Sequence, residues 1–163
     1  IKGPKKNKAL YEKIIDTMAY LAGILLLVIV IMVTYSVFTR YLKLPTPVWV
    51  LQYTEYGLLW ITFLGAAWLL KKGGHIRIDT LLSLLPSRIQ DRLEIMNNIL
   101  GIFVTLIILI YGLQHTIDLY DRGIFDVKAT NIHRWLIFWI IPLGGLAMLL
   151  QFIREFYNRV FGK

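Results

Sequence analysis

Residues 48–86 read VWVLQYTEYGLLWITFLGAAWLLKKGGHIRIDTLLSLLP, and this stretch decides the fold. Its first part, Val48–Leu70, is an apolar run with one formal charge, Glu55. A helix rises about 1.5 Å per residue, so roughly 20 residues cross the hydrocarbon core of a bilayer. The run is long enough to span. Lys71-Lys72-Gly73-Gly74 is a basic stop. His75-Ile76-Arg77-Ile78-Asp79 then leads into a leucine-rich segment ending at Pro86. Ile78, Leu81, Leu82 and Leu85 follow the i, i+3, i+4, i+7 spacing of one helical face. The segment 79–86 is too short to span, so it is expected to lie along the membrane interface as an amphipathic helix. Asp79 is its expected N-cap and Pro86 its stop.

The same pattern runs outward from this stretch. The chain has 163 residues, 57% of them hydrophobic and only 17% charged, with a mean hydropathy of +0.62. The apolar residues fall in long charge-poor blocks, which marks an integral membrane protein. Three more blocks qualify as spans: 17–39, 95–117 (with His115 near its end) and 135–153. Lipid offers no hydrogen bonds to a backbone, so the blocks are expected to be helices. The fold expected is an all-α integral membrane protein, a single membrane domain over 1–163 with four transmembrane helices and the interfacial helix.

Lys and Arg set the orientation. Thirteen lie in the N-terminal segment, the 71–94 loop and the C-terminal segment; five lie in the other two loops. The positive-inside rule puts both termini in the cytoplasm. Lys71, Lys72, Arg77, Arg88 and Arg92 then face lipid headgroups, and the net charge of +8 is a membrane feature, not a nucleic-acid footprint. The basic start resembles a signal peptide, but its apolar run is too long and lacks an A-x-A site, so an uncleaved span is expected. A chain starting with Ile rather than Met is expected to be trimmed. Ser87 and Gln90 form an S-x-x-Q capping box, which starts the third helix near Arg88. Pro142, with Gly144 and Gly145, invites a kink or a close helix contact in the last span.

Little in the chain can carry chemistry. There is no cysteine, which excludes disulfides, thiolate metal sites and a cysteine nucleophile. No metal site, phosphate loop or hydrolase motif is present. Glu55 sits roughly 10 Å in from its end of the second span. A lone charge at such depth costs about 2.5 kcal/mol or more unless paired, hydrated or protonated. It is either an ion or substrate ligand or a carboxylate paired at a helix contact; no converging polar groups are evident in the other spans. His75, His115 and His133 are the only haem ligands to test, and none lies deep in a span. The readings open at this point are an accessory subunit, a haem-binding four-helix membrane cytochrome subunit, and an autonomous small carrier or channel using Glu55.

A family resemblance narrows them. Its carriers are Arg40-Tyr41, Trp49, Trp60 with Phe63-Leu64-Gly65-Ala66-Ala67, Gly74-His75-Ile76-Arg77-Ile78-Asp79 with the leucine run to Pro86, and Pro142-Leu143-Gly144. In order and spacing the chain resembles the small, Q-type (DctQ-type) membrane subunit of tripartite ATP-independent periplasmic (TRAP) transporters. Many members carry an acidic pair where Leu51-Gln52 stand here, so no family role passes to Glu55. The resemblance implies a non-catalytic scaffold of the bacterial inner membrane, without cofactor. Its partners would be membrane lipids, a large M-type subunit holding the substrate and sodium sites and moving like an elevator, and a periplasmic binding protein delivering an organic acid. Arg40, Trp49, Glu55, Gly65, Ala66, Ala67, His75, Asp79, Pro142 and Gly144 are the expected structural or partner-facing residues. Gly65, Ala66 and Ala67 are expected at helix contacts, because small residues permit close approach in lipid.

Overall fold

The computed structural model describes residues 5–72 and 87–161. The expected interfacial helix, with His75, Arg77 and Asp79, lies outside the described residues. Four long helices carry the fold: α1 (Lys5–Tyr41), α2 (Trp49–Lys71), α3 (Ser87–Asp121) and, after the short α4 (Arg134–Phe138), α5 (Ile140–Phe161). α3 begins within one residue of the start that the capping box marks. Between α3 and α4 stand two three-residue strands, β1 (Phe125–Val127) and β2 (Asn131–His133), paired antiparallel with Asp126 opposite Ile132. The hairpin is a small addition to a mostly helical fold.

Its placement follows from how α3 stops. Gly123 sits at φ +56, the left-handed region that glycine adopts without steric cost. Its N–H donates to Tyr120 O, and the N–H of Ile124 donates to Leu119 O. This is the Schellman ending, which satisfies the last carbonyls and turns the chain back. Arg134 N then donates to Ile124 O and closes the base of the hairpin.

The expected kink in the last span is found upstream of its proline. Pro142 has no N–H for the carbonyl of Phe138, and its ring crowds that carbonyl. The helix therefore breaks at Trp139, and Pro142 lies in the first turn of α5, where a missing donor costs little.

The helices pack in the order α1, α2, α5, α3. Ion pairs and hydrogen bonds fix their directions. Lys71, at the end of α2, reaches Asp16 near the start of α1, and Arg154, late in α5, reaches Glu12. α1 and α2 are thus antiparallel, α2 and α5 run parallel, and the first turns of α1 share an end with the last turns of α2 and of α5. α3 runs antiparallel to α5, with Gly101 near Phe152 and Gly112 near Ile141. Met18, Ala22, Leu64 and Ile140 form the buried centre where α1, α2 and α5 meet, with Trp60, Ile61 and Phe63 packed around it.

Among the described residues three segments are long and apolar enough to cross a membrane: Tyr11–Tyr41, Arg92–Asp121 and Arg134–Tyr157. α2 is long enough but less apolar, because Gln52, Tyr53, Thr54, Glu55 and Tyr56 follow one another in its first turns. Only 11% of the apolar window in α1 and in α3 is buried, against 44% in the last segment. α1 and α3 are therefore flanks whose apolar faces point away from the fold.

Candidate functional site

The polar residues at the start of α2 and the hairpin make one site. Gln52, Tyr56 and Trp60 are spaced i, i+4, i+8 and share a helical stripe. Gln52 is buried at 2% exposure and is the hub. Its Oε1 accepts from Ala129 N at 3.1 Å, Thr130 N at 3.0 Å and Thr130 Oγ1 at 3.1 Å. Its Nε2 donates to Thr130 O at 3.1 Å and to the Tyr56 hydroxyl at 2.7 Å. Tyr56 in turn donates to Asp126 Oδ2, and Trp60 Nε1 donates to Ile137 O at 3.1 Å. One stripe of α2 thus holds the hairpin loop, the first strand and α4.

Charges complete the site. Asp126 is buried and lies 3.5 Å from Arg134. The hydrogen bond from Tyr56, aided by the positive charges of Lys128 and Arg134, holds its carboxyl below the usual aspartate range despite the opposing cost of burial. Lys128, in the hairpin loop, meets Glu55 Oε2 at 2.6 Å. That hydrogen bond and the glutamate charge raise its ammonium above the ordinary lysine value. Glu55 therefore has a basic partner that the spans alone do not offer; the hairpin supplies it. The pair is half exposed, at the hairpin end of α2.

The opposite end is held by a second set of contacts. Lys71 Nζ donates to Asp16 Oδ1 at 2.7 Å and to Glu12 O at 3.2 Å. Arg154 meets Glu12 at 2.6 Å and lies over the Tyr11 ring, whose hydroxyl donates to Ala147 O. Among the described residues two buried amide atoms, Asn98 Nδ2 and Gln151 Oε1, have no hydrogen-bond partner. Among the described residues no group of three or more His, Asp or Glu side chains could hold a metal ion. His115 packs edge-on against Phe138, and His133 lies against Phe125.

With two polar locks joined by apolar helices, the comparison with known proteins is direct. The family model described as "Tripartite ATP-independent periplasmic transporters, DctQ component" matches residues 29–162. The chain belongs to this family. A curated relative, the ectoine TRAP transporter small permease protein TeaB of Halomonas elongata, is 27% identical over 96 residues. The match covers 59% of this chain and 49% of the relative, so the chain spans about half of that relative's length. As a DctQ component the chain is a multi-pass protein of the bacterial inner membrane and a transporter subunit.

The other expected residues of this DctQ component are dispersed. Arg40 is exposed near the end of α1, and Trp49 stacks edge-on against Tyr53 at 6.1 Å. Ala67 is fully buried and Ala66 half-buried. A side-chain carbon added at Gly65 would meet nothing within 4 Å, so Gly65 is not a close contact inside this chain. The close approaches lie instead at Gly57 against Ile29, Gly101 against Phe152, Gly112 against Ile141 and Gly144 against Phe63. Pro142 and Gly144 are buried in α5. Lys71 is spent on Asp16, whereas Lys72 lies over the Trp68 ring at 5.7 Å. Arg88 is in the first turn of α3, and Arg92 is exposed one turn further on. The hairpin residues Asp126, Lys128 and Thr130, and Gln52, which holds Thr130, are absent from the expected set. The signals for them were the Asp121-Arg122-Gly123 helix stop and the Gln52, Tyr56, Trp60 stripe.

Proposed function

We propose that this chain is the non-transporting scaffold subunit of a TRAP transporter. It crosses the inner membrane four times, with both ends in the cytoplasm and the hairpin in the periplasm. α2 is the fourth span: it is 23 residues long and lies between α1, to which it is antiparallel, and α5, to which it is parallel, two segments able to cross. Its polar first turns stand at the hairpin end, where a periplasmic interface supplies water. The outward apolar faces of α1 and α3 offer surface to a large M-type subunit and to lipid. That large subunit carries the substrate and the sodium sites and moves like an elevator against the scaffold. A periplasmic binding protein delivers an organic acid and meets the hairpin surface.

The observation that carries this reading is where the charges go. Asp16, Glu12, Lys71 and Arg154 bind one another at one end, and Glu55 and Lys128 at the other. Glu55, the one acidic residue in α2, is thereby tied to a neighbour and stands away from the middle of the bundle, where carriers gather their ligands. Liposomes holding this chain alone should admit radioactive sodium no faster than empty liposomes. Sodium entry through the chain alone, abolished by Glu55→Gln, would establish the carrier reading instead. Cysteines at Val127, on the hairpin, and at Lys13, near the start of α1, should react with an impermeant maleimide from opposite sides of sealed vesicles; labelling from one side would overturn the four-span topology.

A further inference from the structure

The α1–α2 contact is open over part of its length. At the end away from the hairpin a groove of about 610 Å³ runs between the two helices. Ala19, Gly23 and Leu26 on α1 and Ile61, Gly65 and Trp68 on α2 line it, each set at i, i+4, i+7, so one face of each helix forms a wall. Carbons added at Gly23 and Gly65 would meet nothing within 4 Å. The small residues leave the slot open rather than letting the helices close on each other. Its mouth holds Asp16 and Lys72.

The slot has the dimensions of one membrane leaflet. From Asp16 to Leu26, or from Ile61 to Lys72, is roughly 15 Å at helical rise, half of a ~30 Å hydrocarbon core. Its volume lies within the ~300–1,000 Å³ usual for small-molecule sites. The charges at its mouth are unbalanced. Asp16 is neutralised by Lys71. Lys72 pairs with no carboxylate among the described residues and rests over Trp68. A lysine and a tryptophan side by side at a span end mark headgroup level. One uncompensated positive charge above an apolar slot complements a lipid with one net negative charge.

We propose that this groove binds one anionic phospholipid, with an acyl chain between Gly23 and Gly65 and the phosphate on Lys72. The proposal rests on α2 being a span. It separates two adjacent lysines that are alike in sequence: Lys71 braces the fold and Lys72 holds the lipid.

The test is native mass spectrometry of the full chain released from nanodiscs of equal phosphatidylglycerol and phosphatidylcholine. The wild-type chain should carry one phosphatidylglycerol in preference to phosphatidylcholine. Gly65→Leu, which puts a side chain into the slot where an added Cβ has nothing within 4 Å, should lower the bound lipid at least tenfold while leaving the helical circular dichroism unchanged. Lys72→Gln should keep a lipid but bring the two headgroups to parity. Lys13→Gln, an exposed charge outside the groove, should change nothing. Wild-type phosphatidylglycerol occupancy in both Gly65→Leu and Lys72→Gln would overturn the proposal. So would cross-linking of a Gly65→Cys chain to another protein in native membranes, which would make the groove a protein contact. Reaction of that cysteine with an impermeant maleimide in sealed vesicles would instead remove the span reading on which the site depends. A protected cysteine with unchanged lipid binding would sink the lipid site alone.

Discussion

Gln52 is the residue on which the hairpin end depends. It is a polar side chain in a candidate span, and among the described residues its amide hydrogen-bonds to the hairpin and to Tyr56. Gln52→Leu would leave the N–H groups of Ala129 and Thr130 without their acceptor, at about 1–3 kcal/mol for each group that stays buried. A spin label at Val127→Cys, on an exposed strand position, should be immobilised in the parent chain and mobile in the Gln52→Leu background; equal spectra would refute the hub. The pH response follows from Asp126 and Lys128, the hairpin groups whose titration the fold shifts. Asp126 has a lowered pKa, so its contribution is complete above the ordinary value of 3.8 and is lost as pH falls through the lower folded value. Lys128 has a raised pKa, so its contribution is complete below the ordinary 10.5 and is lost as pH rises through the higher folded value. The label should therefore stay immobilised across the neutral range and loosen below pH 3.8 or above pH 10.5. Loosening between pH 5 and 8 would mean that another group controls the hairpin.

At the scale of the elements, glycines with the same sequence appearance do opposite things. A carbon added at Gly144 would stand 2.6 Å from Phe63 Cβ and 2.9 Å from Phe63 O, and backbone cannot move aside cheaply. Gly144→Ala should cost about 1–3 kcal/mol by overpacking the α2–α5 contact. Gly65→Ala meets open space and should gain up to about 1 kcal/mol from helix propensity. Thermal unfolding of both variants in detergent checks the pair; the same sign of shift in both would contradict the packing described. Sequence periodicity could not separate them, because an empty groove and a tight contact both favour small residues. It did place the long helices, since unbroken apolar runs and the Ser87–Gln90 start are local signals. It missed the hairpin, whose three-residue strands are too short for alternation to register and whose hold on α2 joins residues some 78 positions apart. For the same reason Glu55 read as a lone charge: Lys128 is 73 positions away.

The whole molecule is a row of helices rather than a closed bundle. α5 and α2 fill the middle, and α1 and α3 turn most of their apolar side chains outward. Such a shape suits a piece of a larger membrane assembly, with the two locks keeping its own helices in register while the flanks meet other surfaces. The family match over residues 29–162 puts the chain among the DctQ components of TRAP transporters. The most direct test is affinity purification of this chain from its native membrane in mild detergent. The scaffold account predicts that a larger multi-span membrane protein comes with it in equimolar amount and stays bound through size-exclusion chromatography. Recovery of this chain alone, folded and without such a partner, would contradict it.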